Sequence, residues 1–190
     1  MRALIEAART PDYPAEIALV LSNRPDADGL ALARKLGIAT AAVDHKIYAG
    51  RDDFEATMQR LLDVHRIELI CLAGFMRLLT QQFVQWWSGR MINIHPSLLP
   101  AYRGLDTHTR ALADGVREHG CTVHFVVPTT DAGPIIAQSR VPVQPGDDAE
   151  ALAARVLEAE HRLYPQALRL VASGKVTMDA PTLPGGVFTD

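Results

Sequence analysis

Short apolar runs alternate with amphipathic stretches along most of this chain. Residues 15–21 (AEIALVL) form an apolar run ending in Ser-Asn-Arg-Pro, which predicts a buried strand and a turn. Residues 28–36 predict a short helix with Asp28 as N-cap and Gly37 as its stop. Further strands are expected over 38–43, over 68–74 (apolar on both faces) and over 91–95, closed by Pro96. Between them lie amphipathic helices at 52–66, opened by Asp52 and Asp53 where acids suit the helix dipole, and at 80–87. A helix at 105–114, capped by Gly115, precedes two strands, 121–127 and 134–143. No helix separates that pair, so a hairpin is expected. The last helix spans 148–172 and stops at Gly174, and a short strand follows at 175–178.

This alternation predicts an α/β fold, an open, mostly parallel, Rossmann-like sheet with helices on both faces and a C-terminal antiparallel hairpin. A single domain over 1–180 is expected, with the Pro- and Gly-rich residues 181–190 as a flexible tail. Composition adds little against this picture. A chain of 190 residues, 48% hydrophobic and 22% charged, can bury a core without disulfide or metal support. Its net charge of -3, with no run of like charges, argues against a nucleic-acid or anionic-membrane partner. Cys71 and Cys121 lie far apart in apolar surroundings and read as reduced thiols, a disulfide or metal pair being the alternative. The first residues lack a signal-peptide pattern and no apolar run approaches membrane-spanning length, so a cytoplasmic location is expected.

Candidate chemistry shows as polar residues where apolar ones belong. In the strand 91–95, Asn93 and His95 share one face and Ile92 and Ile94 the other. Two polar side chains at the carboxyl end of a strand covered on both sides are either a structurally satisfied pair or part of a ligand site. Asp131 falls in the turn of the hairpin, where turn chemistry alone would explain Asp-Ala-Gly. It gains meaning only if the turn folds over His95, where a carboxylate would favour the charged imidazole. In the last helix, Leu152, Val156, Ala159, Leu163, Ala167 and Leu170 form an apolar stripe, and Glu160 falls inside it. An inward carboxylate needs a partner, either a substrate ammonium or an internal Arg or backbone amides. His124, in a strand, reads as a core or sheet-face histidine, and His108 as a surface or capping residue. No H-E-x-x-H, G-x-S-x-G or G-x-G-x-x-G is present, so no metal, hydrolase-nucleophile or dinucleotide site is expected.

Four segments together resemble the phosphoribosylglycinamide formyltransferase branch of the 10-formyltetrahydrofolate-dependent enzymes. They are LAGFMRLL at 72–79, NIHPSLLPAYRGLDTH at 93–108, HGCTVHFV followed by DAGPII, and EAEHRLYP at 158–165. The resemblance extends over residues 3–176. NIHPSLLP marks only the superfamily, whereas EAEHRLYP and the short length point to the glycinamide branch. The resemblance implies that Asn93, His95 and Asp131 form a catalytic trio. Asn93 would hydrogen-bond the formyl oxygen as it becomes an oxyanion. His95 would be the general acid, and Asp131 would favour its charged form and order a water. Arg51, Met76, Arg77, Leu78, Leu79, Met91, Asn93 and Val126 match folate-contacting positions, and Glu160 matches a residue that contacts the substrate amine.

The resemblance thus implies a small-molecule substrate, phosphoribosyl-glycinamide, and 10-formyltetrahydrofolate as co-substrate without a metal. No nucleic-acid or membrane partner is expected, and the chain is expected to be a monomer or homodimer. Alternatives are another formyl-folate-dependent transferase or hydrolase, or a folate-binding form with impaired transfer. Members of the family begin with a buried strand and a Gly-Ser-Asn loop, whereas Met1-Arg2-Ala3-Leu4-Ile5 already reads as the first helix. The expectation is that the natural start lies upstream of Met1, the alternative being that this protein binds phosphate differently. The missing loop would otherwise leave the substrate phosphate without the backbone amides of a helix N-terminus.

Overall fold

The computed structural model describes residues 1–182 and the backbone of Phe188–Thr189. In chain order the elements are α1 (Arg2–Ala8), β1 (Leu19–Ser22), α2 (Asp28–Lys35), β2 (Ala39–Ala42), α3 (Arg51–Val64) and β3 (Ile70–Leu72). Then come α4 (Gln81–Trp86), β4 (Met91–His95), α5 (Thr107–Ala113), β5 (Glu118–Phe125), β6 (Ile135–Pro142), α6 (Ala149–Ala172) and β7 (Phe188–Thr189). The α/β class and the antiparallel β5–β6 hairpin are as the hydrophobic pattern predicts.

The expected single sheet is divided. β1 and β2 pair in parallel as a two-stranded sheet, and a separate five-stranded sheet runs β3-β4-β5-β6-β7. Within it β3–β4 and β6–β7 are parallel and the two middle pairs antiparallel, so the sheet is mixed. β1 and β3 are only half-buried along their whole length, although both are apolar runs suited to burial on both faces.

β4 carries the boundary between two cores because its side chains alternate. Ile92, with Ile94 beside it, belongs to the cluster built with β5, β6, α1 and the stripe Leu152, Val156, Ala159, Leu163 and Ala167 of α6. Met91 points the other way, into the cluster of Phe54, Met58 and Leu62 from α3 with Phe83, Val84 and Trp87 around α4. Asn93 and His95 continue the Met91 face past the end of that cluster. The Tyr164 hydroxyl of α6 reaches through to donate to the carbonyls of Leu72 at 2.9 Å and Ile92 at 3.1 Å, fastening the helix to adjacent strands. On the other side, buried Glu55 of α3 accepts from the Thr80 amide at 2.7 Å and from its hydroxyl, and Thr80 caps α4 through Phe83 N–H.

Several local expectations are corrected. The N-cap of α2 is Ala27, whose backbone is extended; Asp28 already lies in the first turn, where its charge still suits the dipole. No strand forms over 175–178. The N–H groups of Lys175 and Val176 fold back onto the Leu170 carbonyl after Gly174 turns left-handed, so helix capping consumes the donors a ladder would need. Of the tail expected to be flexible, residues 183–187 and 190 lie outside the described residues. Phe188–Thr189 runs beside Gln138 and Ser139 of β6. Both cysteines are free, and burial pushes each thiol up to about 12, which keeps them protonated.

Gly120 marks a close approach between the two hairpin strands, since a Cβ there would lie 2.0 Å from the Ser139 carbonyl oxygen and 2.9 Å from Leu98. Backbone has to move to admit it. We expect Gly120→Ala to cost about 1–3 kcal/mol, the usual range for overpacking, read as a lower denaturant midpoint at unchanged slope. An unchanged midpoint would show that the strands can separate freely here.

Candidate active site

The antiparallel register sets Asn93 opposite His124 and His95 opposite Thr122, so two pairs of polar residues face each other across β4 and β5. His95 is 5% exposed. Its Nε2–H donates to the Tyr102 carbonyl at 2.9 Å, and its Nδ1 lies 3.4 Å from Asp131 Oδ2. An imidazolium here would have an acceptor for each of its two N–H groups. Asp131 stands at φ 49 in the left-handed region, which Asp tolerates through its short polar side chain. The turn does fold over the carboxyl end of β4. Burial pushes the Asp131 carboxyl up, but the Gly104 N–H at 2.9 Å and the charge of His95 oppose it, and the carboxyl stays below the usual range.

The loop 96–104 that carries Tyr102 and Gly104 is pinned from below. Buried Thr122 donates to the Ser97 carbonyl at 2.6 Å and accepts from Leu99 N–H at 3.0 Å. Gln138 of β6 donates to both Thr122 Oγ1 at 2.8 Å and the Leu99 carbonyl at 2.9 Å, and Ser97 Oγ donates to the Ala101 carbonyl at 2.6 Å. His124 is 2% exposed and lies against two of the trio, with Nε2 3.3 Å from Asn93 Nδ2 and 3.7 Å from Asp131 Oδ1. The structure therefore adds Thr122 and His124 to the site. Their signal was in the sequence, as a second period-two pair of polar residues set between apolar Cys121, Val123 and Phe125. A cleft of about 350 Å³ opens beside Asp131, lined by Leu99, Pro100, Arg103, Gly133 and Ile135.

The other predicted positions fall into two groups. Arg51 and the segment 76–79 are brought together, the guanidinium donating to the Leu78 carbonyl at 3.5 Å while Arg77 stacks over Phe54. Met76 is 80% and Leu78 66% exposed, a bare apolar surface beside a cation. Leu79, Met91 and Val126 close the adjoining core, with Val126 N–H donating to the Met91 carbonyl at 2.9 Å. Glu160 is half-buried on α6, and burial pushes its carboxyl up to about 7 against the pull of the Met1 ammonium. Among the described residues no cluster of three His, Cys, Asp or Glu could hold a metal ion, and no helix is long and apolar enough to cross a membrane.

With this arrangement in view, comparison with known proteins decides the family. Residues 1–168 match the family model described as formyl transferase. The chain belongs to the formyl transferase family. It is 51% identical over 176 residues to the chicken (Gallus gallus) trifunctional purine biosynthetic protein adenosine-3, covering 93% of this chain but 18% of that protein. It thus spans under a fifth of that curated relative. It is 41% identical over 178 residues to the phosphoribosylglycinamide formyltransferase of Escherichia coli K12, covering 94% of this chain and 84% of that one. A crystal structure of phosphoribosylglycinamide formyltransferase from Brucella melitensis superposes with a TM-score of 0.88 at 53% identity, covering 92% and 90% of the two chains.

One histidine of this formyl transferase chain departs from expectation. His108, expected at the surface or a cap, packs edge-on against His119 at 5.2 Å between ring centroids, because α5 turns that face toward β5. Its Nδ1 and His119 Nε2 are buried without a hydrogen-bond partner among the described residues. His119 is 1% exposed, and burial, helped by the neighbouring His108, pushes it down to about 4. The unfolded ring takes a proton below about 6.5, the folded ring only below about 4. Between those values the unfolded state binds more protons, so this histidine makes stability rise with pH. Glu160 acts oppositely as pH rises from 4.5 toward 7, since its folded carboxyl holds its proton longer. We expect wild-type stability minus that of His119→Leu to increase by about 3 kcal/mol from pH 4 to 6.5, a difference in which Glu160 cancels. Parallel stability curves for the two proteins in chemical denaturation would show that His119 titrates normally.

Proposed function

We propose that this chain transfers the formyl group of 10-formyltetrahydrofolate to the amine of 5-phosphoribosyl-glycinamide, a step of de novo purine biosynthesis. The observation that carries this reading is His95 held between the Asp131 carboxylate at 3.4 Å and the Tyr102 carbonyl at 2.9 Å, two residues along one strand face from Asn93. A free amine is itself a nucleophile, so the reaction needs from the protein a donor for the developing oxyanion and a proton source. These are the roles open to Asn93 and His95. The amine nitrogen bonds to the formyl carbon, whose oxygen gains charge beside Asn93 and His95. As the bond from that carbon to the folate nitrogen breaks, the leaving nitrogen takes a proton. His95 supplies it and recovers one from the attacking amine, through a water held by Asp131. The names of the E. coli and Brucella melitensis relatives support the same substrate.

Arg51 with Met76, Arg77, Leu78 and Leu79 is the proposed folate-binding surface, backed by Met91 and Val126. An aromatic pterin would cover the exposed Met76 and Leu78. A carboxyl raised to about 7 by burial has room for a cation, and the substrate amine is the cation proposed for Glu160. The proposed location is the cytoplasm, and the proposed state a monomer or homodimer.

Steady-state turnover of glycinamide ribonucleotide with a chromogenic 10-formyl-folate analogue tests the reading. His95→Asn and Asp131→Asn should each lower kcat by at least about a hundredfold with folate affinity retained. Asn93→Ala should cost on the order of 10²–10³ in kcat. Glu160→Gln should weaken binding of the ribonucleotide more than of the folate. Wild-type turnover in the His95 or Asp131 variant would remove that residue from the chemistry, and a Glu160 variant impaired only toward folate would put that helix face at the other substrate.

A further inference from the structure

We propose that His124 is a positioning residue for formyl transfer, its Nε2 accepting one N–H of the Asn93 carboxamide and so fixing which way that group faces. The proposal rests on the reading of Asn93 as the oxyanion donor and deepens it.

The argument begins at the opposite nitrogen of the ring. His124 Nδ1 lies 2.8 Å from the Phe125 carbonyl oxygen, which can only accept, so Nδ1 carries the proton. A neutral imidazole has one N–H, and Nε2 is left as a bare acceptor. Asn93 Nδ2 stands 3.3 Å from it, directly across the ladder. Rotating the carboxamide by half a turn would set its oxygen against the Nε2 lone pair, two acceptors facing each other where water cannot intervene. The carboxamide is thereby held with nitrogen toward His124. Its second N–H stays available for the formyl oxygen as that atom becomes negative. In the reversed orientation an oxygen would meet that charge.

The surroundings hold the ring in this role. A Cβ on Gly133 would lie 1.8 Å from the Phe125 carbonyl oxygen and 3.5 Å from His124 Nδ1, so only glycine leaves the carbonyl where the ring needs it. The ladder is irregular between Val123 and His124, which re-aims the side chain at this point in the strand. Asp131 Oδ1, at 3.7 Å, is beyond hydrogen-bond reach of Nε2, and Asp131 Oδ2 faces His95 and Gly104. The histidine therefore serves Asn93, while the carboxylate serves His95.

Variants that reach one ring nitrogen but not the other separate this role from simple filling of the core. A Gln side chain can place an amide oxygen near the position of Nε2, whereas Asn reaches only as far as Nδ1. His124→Asn should lower kcat by about 10–100-fold, part of the loss for an oxyanion donor, with both Michaelis constants within about threefold of wild type. His124→Gln should recover most of that loss. In an Asn93→Ala background His124→Asn should have no further effect on kcat, because the residue it acts through is gone. Additive losses in that double variant, a Gln variant as slow as the Asn variant, or a loss confined to the Michaelis constants would each overturn the proposal. Nitrogen NMR of the His124 ring in the wild-type protein needs neither folding of the variants nor turnover. A proton on Nδ1 and none on Nε2 near neutral pH is expected, and a protonated Nε2 would overturn the assignment. Absence of wild-type turnover, by contrast, would overturn the functional reading and leave the NMR result to decide the role of the ring.

Discussion

The contact between the Asp131 carboxylate and the ring of His95 is where the fold and the proposed chemistry of this protein depend on each other. Taking a carboxylate out of water is costly unless hydrogen bonds and opposite charge replace the lost solvation. Here the Gly104 N–H and His95 do so from two different segments. Each of those segments is held by the same carboxylate in return. Without it, Nδ1 of a histidine buried in the sheet would face no acceptor. The loop that carries Gly104 would lose its tether to the hairpin.

The chemistry proposed for this site demands a rigid frame, because small displacements of a proton donor or an oxyanion donor cost much of the rate. The frame is made from ordinary sheet parts. Thr122, Gln138 and Ser97 bind the backbone of the loop 96–104 from beneath, so the Tyr102 carbonyl stands where Nε2 of His95 can use it. Tyr164 fastens α6 to β3 and β4, and Glu55 fastens α3 to the start of α4. The two apolar clusters meet at β4, which sets the facing of its polar end.

Two titratable groups shifted by burial stand outside this frame and have opposite requirements. His119 is stable only as the neutral ring, because burial and a second histidine both oppose its charge. Glu160 has its carboxyl pushed up to about 7, with burial opposing its charge and the Met1 ammonium favouring it. The first is a structural burden of packing α5 on β5. The second is the carboxyl for which the substrate amine is proposed as partner.

Hydrophobic periodicity alone determined the α/β class, the hairpin, β4 at its full length and the buried stripe of α6, because those features are written in the spacing of apolar side chains. It also exposed Asn93, His95 and Glu160, which stand out as polar residues in apolar settings. The resemblance carried Asp131 from a turn residue to a candidate partner of His95. Tertiary structure decided the rest. Whether the Asp131 turn folds over His95, whether Thr122 holds a loop, and whether His124 meets Asn93 all depend on the register between strands distant in sequence. A single strand does not encode that register. The division of the sheet and the irregular backbone after Gly174 were likewise beyond local pattern, since they turn on which backbone donors find partners elsewhere in the chain.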